Sequence, residues 1–221
     1  PYVGEFHKYL SRCQSILQLG VSVNDVLFVS PEEAPFVFKS PRTFVTDSTL
    51  PDKKGYGFDV CPPSLLKTAV VNNSEIVFPS GTRYKVIVIS DFRTMTVGLL
   101  KTLERLVKNG ARLIGVPPVS TPGLSSYITN DKELGRLSKA MWKDSMDKEY
   151  SVLKYGMGYI ISGKSLSDSY QDLYPDYDFI SDCLRKMKIE EDFSSDIAKL
   201  RYNHRKFKDT DIYFVSNKTF L

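Results

Sequence analysis

The spacing of apolar residues predicts a chain in which short buried strands alternate with amphipathic helices. Residues 5–20, EFHKYLSRCQSILQLG, carry an apolar stripe of Phe6, Tyr9, Leu10, Cys13, Ile16 and Leu17 at helical spacing, with Gly20 as a stop. Residues 25–29 (DVLFV) and 56–61 (YGFDVC) read as strands, and Pro62-Pro63 opens a short helix over 64–70. EIVFP (75–79) and YKVIVIS (84–90) are two strand-like runs separated by a Ser-Gly-Thr turn signal. Residues 96–109 form the most regular helix, with Leu99, Leu100, Leu103, Leu106 and Val107 on one stripe and Asn109-Gly110 at its end. Further strands are predicted at 111–116, 158–162 and 211–215, and further helices at 131–146, 165–174 and 179–186. Most strand runs are apolar throughout, the pattern of a parallel sheet covered on both faces. The fold class is therefore α/β, a mostly parallel sheet flanked by helices in three layers.

One stretch breaks this rhythm. Residues 30–54 are rich in Pro, Ser, Asp and Lys and read as a long irregular excursion; loops of that length in a compact domain are usually functional. The 221 residues suit one domain over 1–221. Pro1 is not a translation start, and the strand-like run ending at Asn217 falls close to Leu221, so the chain reads as processed or excised from a longer one. No run of 18 apolar residues provides a membrane span. The formal charge of +4 is spread along the chain, which gives a nucleic-acid or anionic-membrane partner little support.

The candidate chemistry sits mainly where strands end. Ser90-Asp91 closes a strand, so Asp91, Arg93 and Thr94 could line a ligand site at the carboxyl edge of the sheet. The plainer reading is a helix cap by Thr94 or Thr96 and turn hydrogen bonds from Asp91. No closely spaced glycines lie there to cradle a phosphate. Cys61 also follows a strand, but two prolines follow it, and the only histidines, His7 and His204, are distant in sequence. Three scattered cysteines (Cys13, Cys61, Cys183) argue against a disulfide framework, and two histidines argue against a zinc site. Asp168, Asp172, Asp176, Asp178 and Asp182 lack the order of a calcium loop and read as caps and solvated surface. Gly156-Met157-Gly158 precedes a strand and reads as a turn, not a dinucleotide fingerprint. Asp59 and Glu104 are carboxylates that the sequence does not pair across a substrate.

Several blocks in order resemble one family. HKYLSRCQSILQLG (7–20), NDVLFV (24–29), GYGFDVC (55–61), FPSGTRYKVIVISDFRTMT (78–96), KNGARLIGVPPVSTPGLS (108–125) and DTDIYFVSN (209–217) are similar to the segment following the catalytic barrel in large bacterial α-L-rhamnosidases of glycoside hydrolase family 106. The resemblance implies a non-catalytic accessory domain with a class I glutamine-amidotransferase-like (flavodoxin/Rossmann-like) fold. Its implied partners are the parent's catalytic barrel and a neighbouring β domain, and the parent's substrate would be a rhamnose-containing glycan. Calcium would belong to that barrel, with no cofactor in this segment, and the setting would be periplasmic or cell-surface. Residues 1–20 would be the last barrel helix, and 211–221 the start of the β domain. Ser90 and Tyr202-Asn203 depart from the family pattern, which leaves His204 and Arg205, beside Asp91 and Arg93, as weak ligand-binding candidates. Two other readings stand beside this one: an independent or degenerate amidotransferase-like enzyme using Cys61 or Cys13, and a carbohydrate- or protein-binding module gripping its partner through residues 30–51.

Overall fold

The structure, a computed structural model, describes residues 2–32, 55–171, 173–195 and 200–217. Most of the Pro-rich 30–54 stretch lies outside the described residues. In chain order the elements are α1 (Val3–Leu17), β1 (Val21–Ser22), β2 (Val26–Val29), β3 (Phe58–Cys61), α2 (Pro63–Leu66), β4 (Val70–Asn72), β5 (Glu75–Val77), β6 (Arg83–Tyr84), β7 (Val86–Ile89), α3 (Val97–Lys108), β8 (Arg112–Ile114), α4 (Tyr127–Trp142), β9 (Ser151–Tyr155), β10 (Gly158–Ser162), α5 (Lys164–Ser169), β11 (Tyr170–Gln171), β12 (Tyr174–Pro175), α6 (Tyr177–Lys186), β13 (Leu200–Phe207) and β14 (Thr210–Asn217).

The main sheet has the order β3-β2-β7-β8-β10-β9. Its first five strands are mutually parallel, and β9 closes the far edge antiparallel to β10. The sheet is thus mixed, with helices on both faces. Three smaller sheets, β1-β13-β14, β4-β5-β6 and β11-β12, are antiparallel.

Because side chains alternate across a strand, β2 feeds two separate cores. Leu27 and Val29 join Leu66, Leu100, Leu103, Leu137 and Trp142 beneath α2, α3 and α4. Val26 and Phe28 join Tyr174, Tyr177, Ile180 and Leu184 beneath α5 and α6. All four residues of β2, and all four of β7, are buried. This explains the uninterrupted apolar runs, which a one-sided sheet would not tolerate.

Several boundaries move for identifiable reasons. The run 84–90 is not one strand. Lys85 leaves the ladder, its amide donating to Asp25 O at 2.8 Å and its ammonium pairing with the Asp25 carboxylate at 2.7 Å. Arg83–Tyr84 then pair with β5 in a small sheet, and Val86–Ile89 enter the main one. Helix α4 begins four residues before the expected 131, after Ser126 in the left-handed region, and ends at Lys143 with φ 48°. The Asp131 carboxylate accepts from both the amide and the hydroxyl of Thr121 at 2.7 Å, tying α4 to the preceding loop, and these bonds hold Asp131 below the usual carboxylate range. The turn at 156–157 is as expected, with Gly156 at φ 61°. It reverses β9 into β10 tightly against α3, so that a Cβ on Gly158 would lie 2.1 Å from Ala111 O.

Candidate functional site

In an open α/β sheet, ligands collect outside the carboxyl ends of the strands, where the strand order reverses. Here that point lies between β2 and β7. The chain runs from β2 outward to β3 on one side and to β7, β8 and β10 on the other. Val29 and Ile89 are register partners at the ends of these two strands.

The protein's own side chains fill this position. Tyr174 Oη donates to Val29 O at 2.9 Å, and Tyr170 Oη donates to Ile89 O at 3.2 Å. The Tyr174 ring meets Phe28 edge-on at 4.8 Å. Asp91 N–H donates to Leu173 O at 2.8 Å, which ties the strand end to the same segment. Burial drives the phenols of Tyr170 and Tyr174 well above the ordinary tyrosine range, so both are neutral donors. Helix α5 ends at Ser169, short of the expected 174, and the extended segment that follows carries the two tyrosines over the strand ends.

Asp91 and Arg93 sit at the rim of this stopper. Burial raises the Asp91 carboxyl, with Arg93 opposing. Arg93 Nε donates to Pro117 O at 2.9 Å, and the Arg93 carbonyl accepts from Val119 N–H at 2.6 Å. Thr94 bridges Ser120 in parallel, and Met95 N–H donates to Ser120 O. The turn is thus stitched to the loop after β8. Thr96 is the helix cap: its Oγ1 accepts from Leu99 N–H at 3.2 Å. Glu32, three residues past the end of β2, accepts from Thr96 N–H and Thr96 Oγ1, both at 2.7 Å, and sets a negative charge at the positive end of α3. Nothing in the composition of residue 32 announced that role, because the contact spans 64 positions.

His204 and Arg205 lie elsewhere. The His204 carbonyl accepts from Val23 N–H at 3.0 Å, just ahead of β2, whereas Asp91 trails β7; the two candidate pairs therefore occupy opposite ends of the sheet. His204 is buried, its Nδ1 2.8 Å from Asp192 Oδ1 and its Nε2 3.0 Å from Asp211 Oδ1. Its ring stacks on Tyr213 at 4.0 Å, and Tyr213 Oη donates to the same Asp192 oxygen at 2.9 Å. Asp192 and Asp211 were missed from sequence. The signal was the alternation on the hairpin, which puts 202, 204 and 206 on one face with 211, 213 and 215. Arg205 points to the other face and donates to the carbonyls of Leu19 and Gly20. Adjacent in sequence, the two residues share no surface.

The remaining candidates separate as well. The Cys61 thiol is buried and pushed up to about 11 by that burial; its Sγ approaches Pro62 O at 3.2 Å. It borders a cavity of about 300 Å³, lined by Leu27, Leu65, Phe78 and Tyr84 among others, with no histidine or carboxylate among the described residues of its lining to act as a base. Asp59 accepts from Tyr84 Oη at 2.9 Å, while Glu104 accepts from Tyr155 Oη at 2.6 Å and Lys108 at 3.0 Å, so the two carboxylates serve separate contacts. Asp176 caps α6 through Phe179 N–H, and Asp182 pairs with Arg185. Among the described residues no group of three His, Cys, Asp or Glu side chains is placed to hold a metal ion. No helix among them is long and apolar enough to cross a membrane.

An α/β body with its switch point stoppered is thus the class that fold and site define. The chain belongs to the glycoside hydrolase family 106, described as alpha-L-rhamnosidase, whose profile it matches over residues 2–220. It is 32% identical over 214 residues to a "Putative beta-glucuronidase" of Formosa agariphila, an alignment covering 96% of this chain and 16% of the relative. It is also similar to the solved rhamnosidase of Novosphingobium sp. PP1Y, with a TM-score of 0.71 and 27% identity, covering 95% of this chain and 18% of that one. The chain therefore spans less than a fifth of the length of either relative.

Proposed function

We propose that this chain is a non-catalytic accessory domain of a larger glycoside hydrolase of α-L-rhamnosidase type, supporting the parent's catalytic barrel in the breakdown of rhamnose-containing glycans. The observation that carries this reading is the stopper: the position where an α/β sheet would take a ligand is occupied by Tyr170 and Tyr174, hydrogen-bonded to the strand ends. The small share of each relative that the chain covers supports the same reading, because it leaves room for a barrel and a β domain elsewhere. The parallel strands, taken in chain order, lie 2-1-3-4-5 across the sheet, which favours the flavodoxin-like, amidotransferase-like form of the fold. Any calcium would act in the barrel, and the parent would work in the periplasm or at the cell surface.

The test is turnover of an aryl α-L-rhamnoside by the isolated chain and by the intact polypeptide that contains it. Hydrolysis is expected only from the intact polypeptide. Turnover by the isolated chain would overturn the reading.

A further inference from the structure

Helix α1 has a clean division of faces. At 100° per residue, Tyr2, Val3, Phe6, Tyr9, Leu10, Cys13, Ile16 and Leu17 fall within one arc, Lys8, Ser11 and Ser15 lie opposite, and Glu5 and Arg12 border its edge. Such an arc normally marks the side that faces a core. Yet no residue of α1 is buried. Leu10, Cys13 and Leu17 are half-covered. Around and between them the face is open, with Tyr2 84%, Phe6 56% and Tyr9 60% exposed. An isolated helix of this length is marginal in water and gains most of its stability from packing its apolar face.

The chain just past the helix is nevertheless fastened to the hairpin. Arg205 donates to the carbonyls of Leu19 and Gly20 just beyond its end. Gly20, at φ 58°, turns the chain so closely onto the hairpin that a Cβ there would collide with the Lys206 carbonyl. Strand β1 then pairs with β13 at once. The face is thus anchored just past the helix end and, beside the half-covered Leu10, Cys13 and Leu17, open along a helix of about 22 Å.

We propose that the apolar face of α1 is the surface by which this domain docks onto the rest of its parent polypeptide, against an apolar helical face of the barrel. The inference rests on the accessory-domain reading. Its argument for the occupant is that more than four-fifths of each relative lies outside the matched stretch, so the same chain supplies the partner at high local concentration. A contiguous apolar patch of this kind on one element marks an interaction site.

Hydrogen–deuterium exchange tests it, comparing the isolated chain of 221 residues with the intact polypeptide. Amides of 3–17 are expected to exchange at least tenfold more slowly in the intact polypeptide, with β2 and β7 unchanged. Phe6→Asp combined with Tyr9→Asp, both at exposed sites that leave the α/β body untouched, should restore fast exchange in the intact polypeptide. Equal exchange of α1 in the two samples would overturn the inference. So would protection in the isolated chain that grows with protein concentration, which assigns the face to a second copy. If the isolated chain hydrolyses rhamnosides, the accessory-domain reading fails whatever α1 does. If it is inactive and α1 stays open in the intact polypeptide, this inference alone fails.

Discussion

Tyr170 and Tyr174 show how a single residue type can close a potential site. Each lays an aromatic ring against the carboxyl edge of the sheet and uses its hydroxyl to satisfy a strand-end carbonyl. A phenylalanine would fill the volume but leave the carbonyl unpaired, at a cost of about 1 kcal/mol. The cysteines follow the same logic of burial. Cys61 and Cys183 are both raised to about 11 by desolvation, whereas Cys13 is only half-buried. The raised value means that the folded protein keeps these protons while the unfolded chain releases them from about pH 9. This stabilising contribution is present below pH 9 and is lost as pH rises through 11. At pH 8 the native thiols should hold about a hundredfold less thiolate than unfolded ones. Iodoacetamide followed by mass spectrometry should therefore modify Cys13 first, with Cys61 and Cys183 reacting only after denaturant is added. Rapid labelling of native Cys61 at pH 8 would reopen the nucleophile reading.

At the scale of elements, α3 has the most complete set of local signals. Thr96 caps it, its buried stripe of leucines repeats at three and four, and Arg105 and Lys108 sit at its negative end. Thr96→Ala should remove the cap and one of the two hydrogen bonds to Glu32, leaving the backbone one, costing about 1–2 kcal/mol in urea unfolding, while Thr96→Ser should cost much less. Equal losses for both variants would show that the hydroxyl is not the operative group. The core strands and this helix were legible in the sequence because periodicity alone specifies them, and β2, β7 and β8 fall inside the expected runs. Strand β9 was not, since SVLKY is short and half-exposed and forms only by pairing with β10. Strand β13 was masked by charge. LRYNHRKF reads as a basic stretch, and its strand character comes from eight register partners on β14. The candidate site was legible in location but not in content. The strand end at Ser90-Asp91 was visible, whereas the tyrosines that fill it arrive from 80 positions away, beyond the reach of local pattern.

At the scale of the whole molecule, two cores share one sheet, and the β1-β13-β14 sheet is a subsidiary unit fastened to it by polar and aromatic contacts. The fasteners are the His204–Asp192 contact, the hydrogen bond from Tyr202 Oη to Gly55 O at 3.0 Å, and the stacking of Phe193 on Tyr202 at 4.8 Å. The main cores include none of the apolar residues of β14. Units joined this way open locally at lower free energy than the body they sit on. His204→Leu keeps an apolar ring-sized volume but deprives Asp192, whose second oxygen is already buried without a partner, of its facing group. Asp192 Oδ1 then keeps only the bond from Tyr213 Oη; losing a hydrogen bond to a charged group costs about 1.5–3 kcal/mol, and the hairpin should absorb that loss by detaching. Limited proteolysis should then cut within 200–217 at least tenfold faster than in the native chain, while the main thermal transition moves by only a few degrees. Loss of the main transition in His204→Leu would show instead that the hairpin and the α/β body unfold as one cooperative unit, and that the buried histidine helps hold the sheet itself.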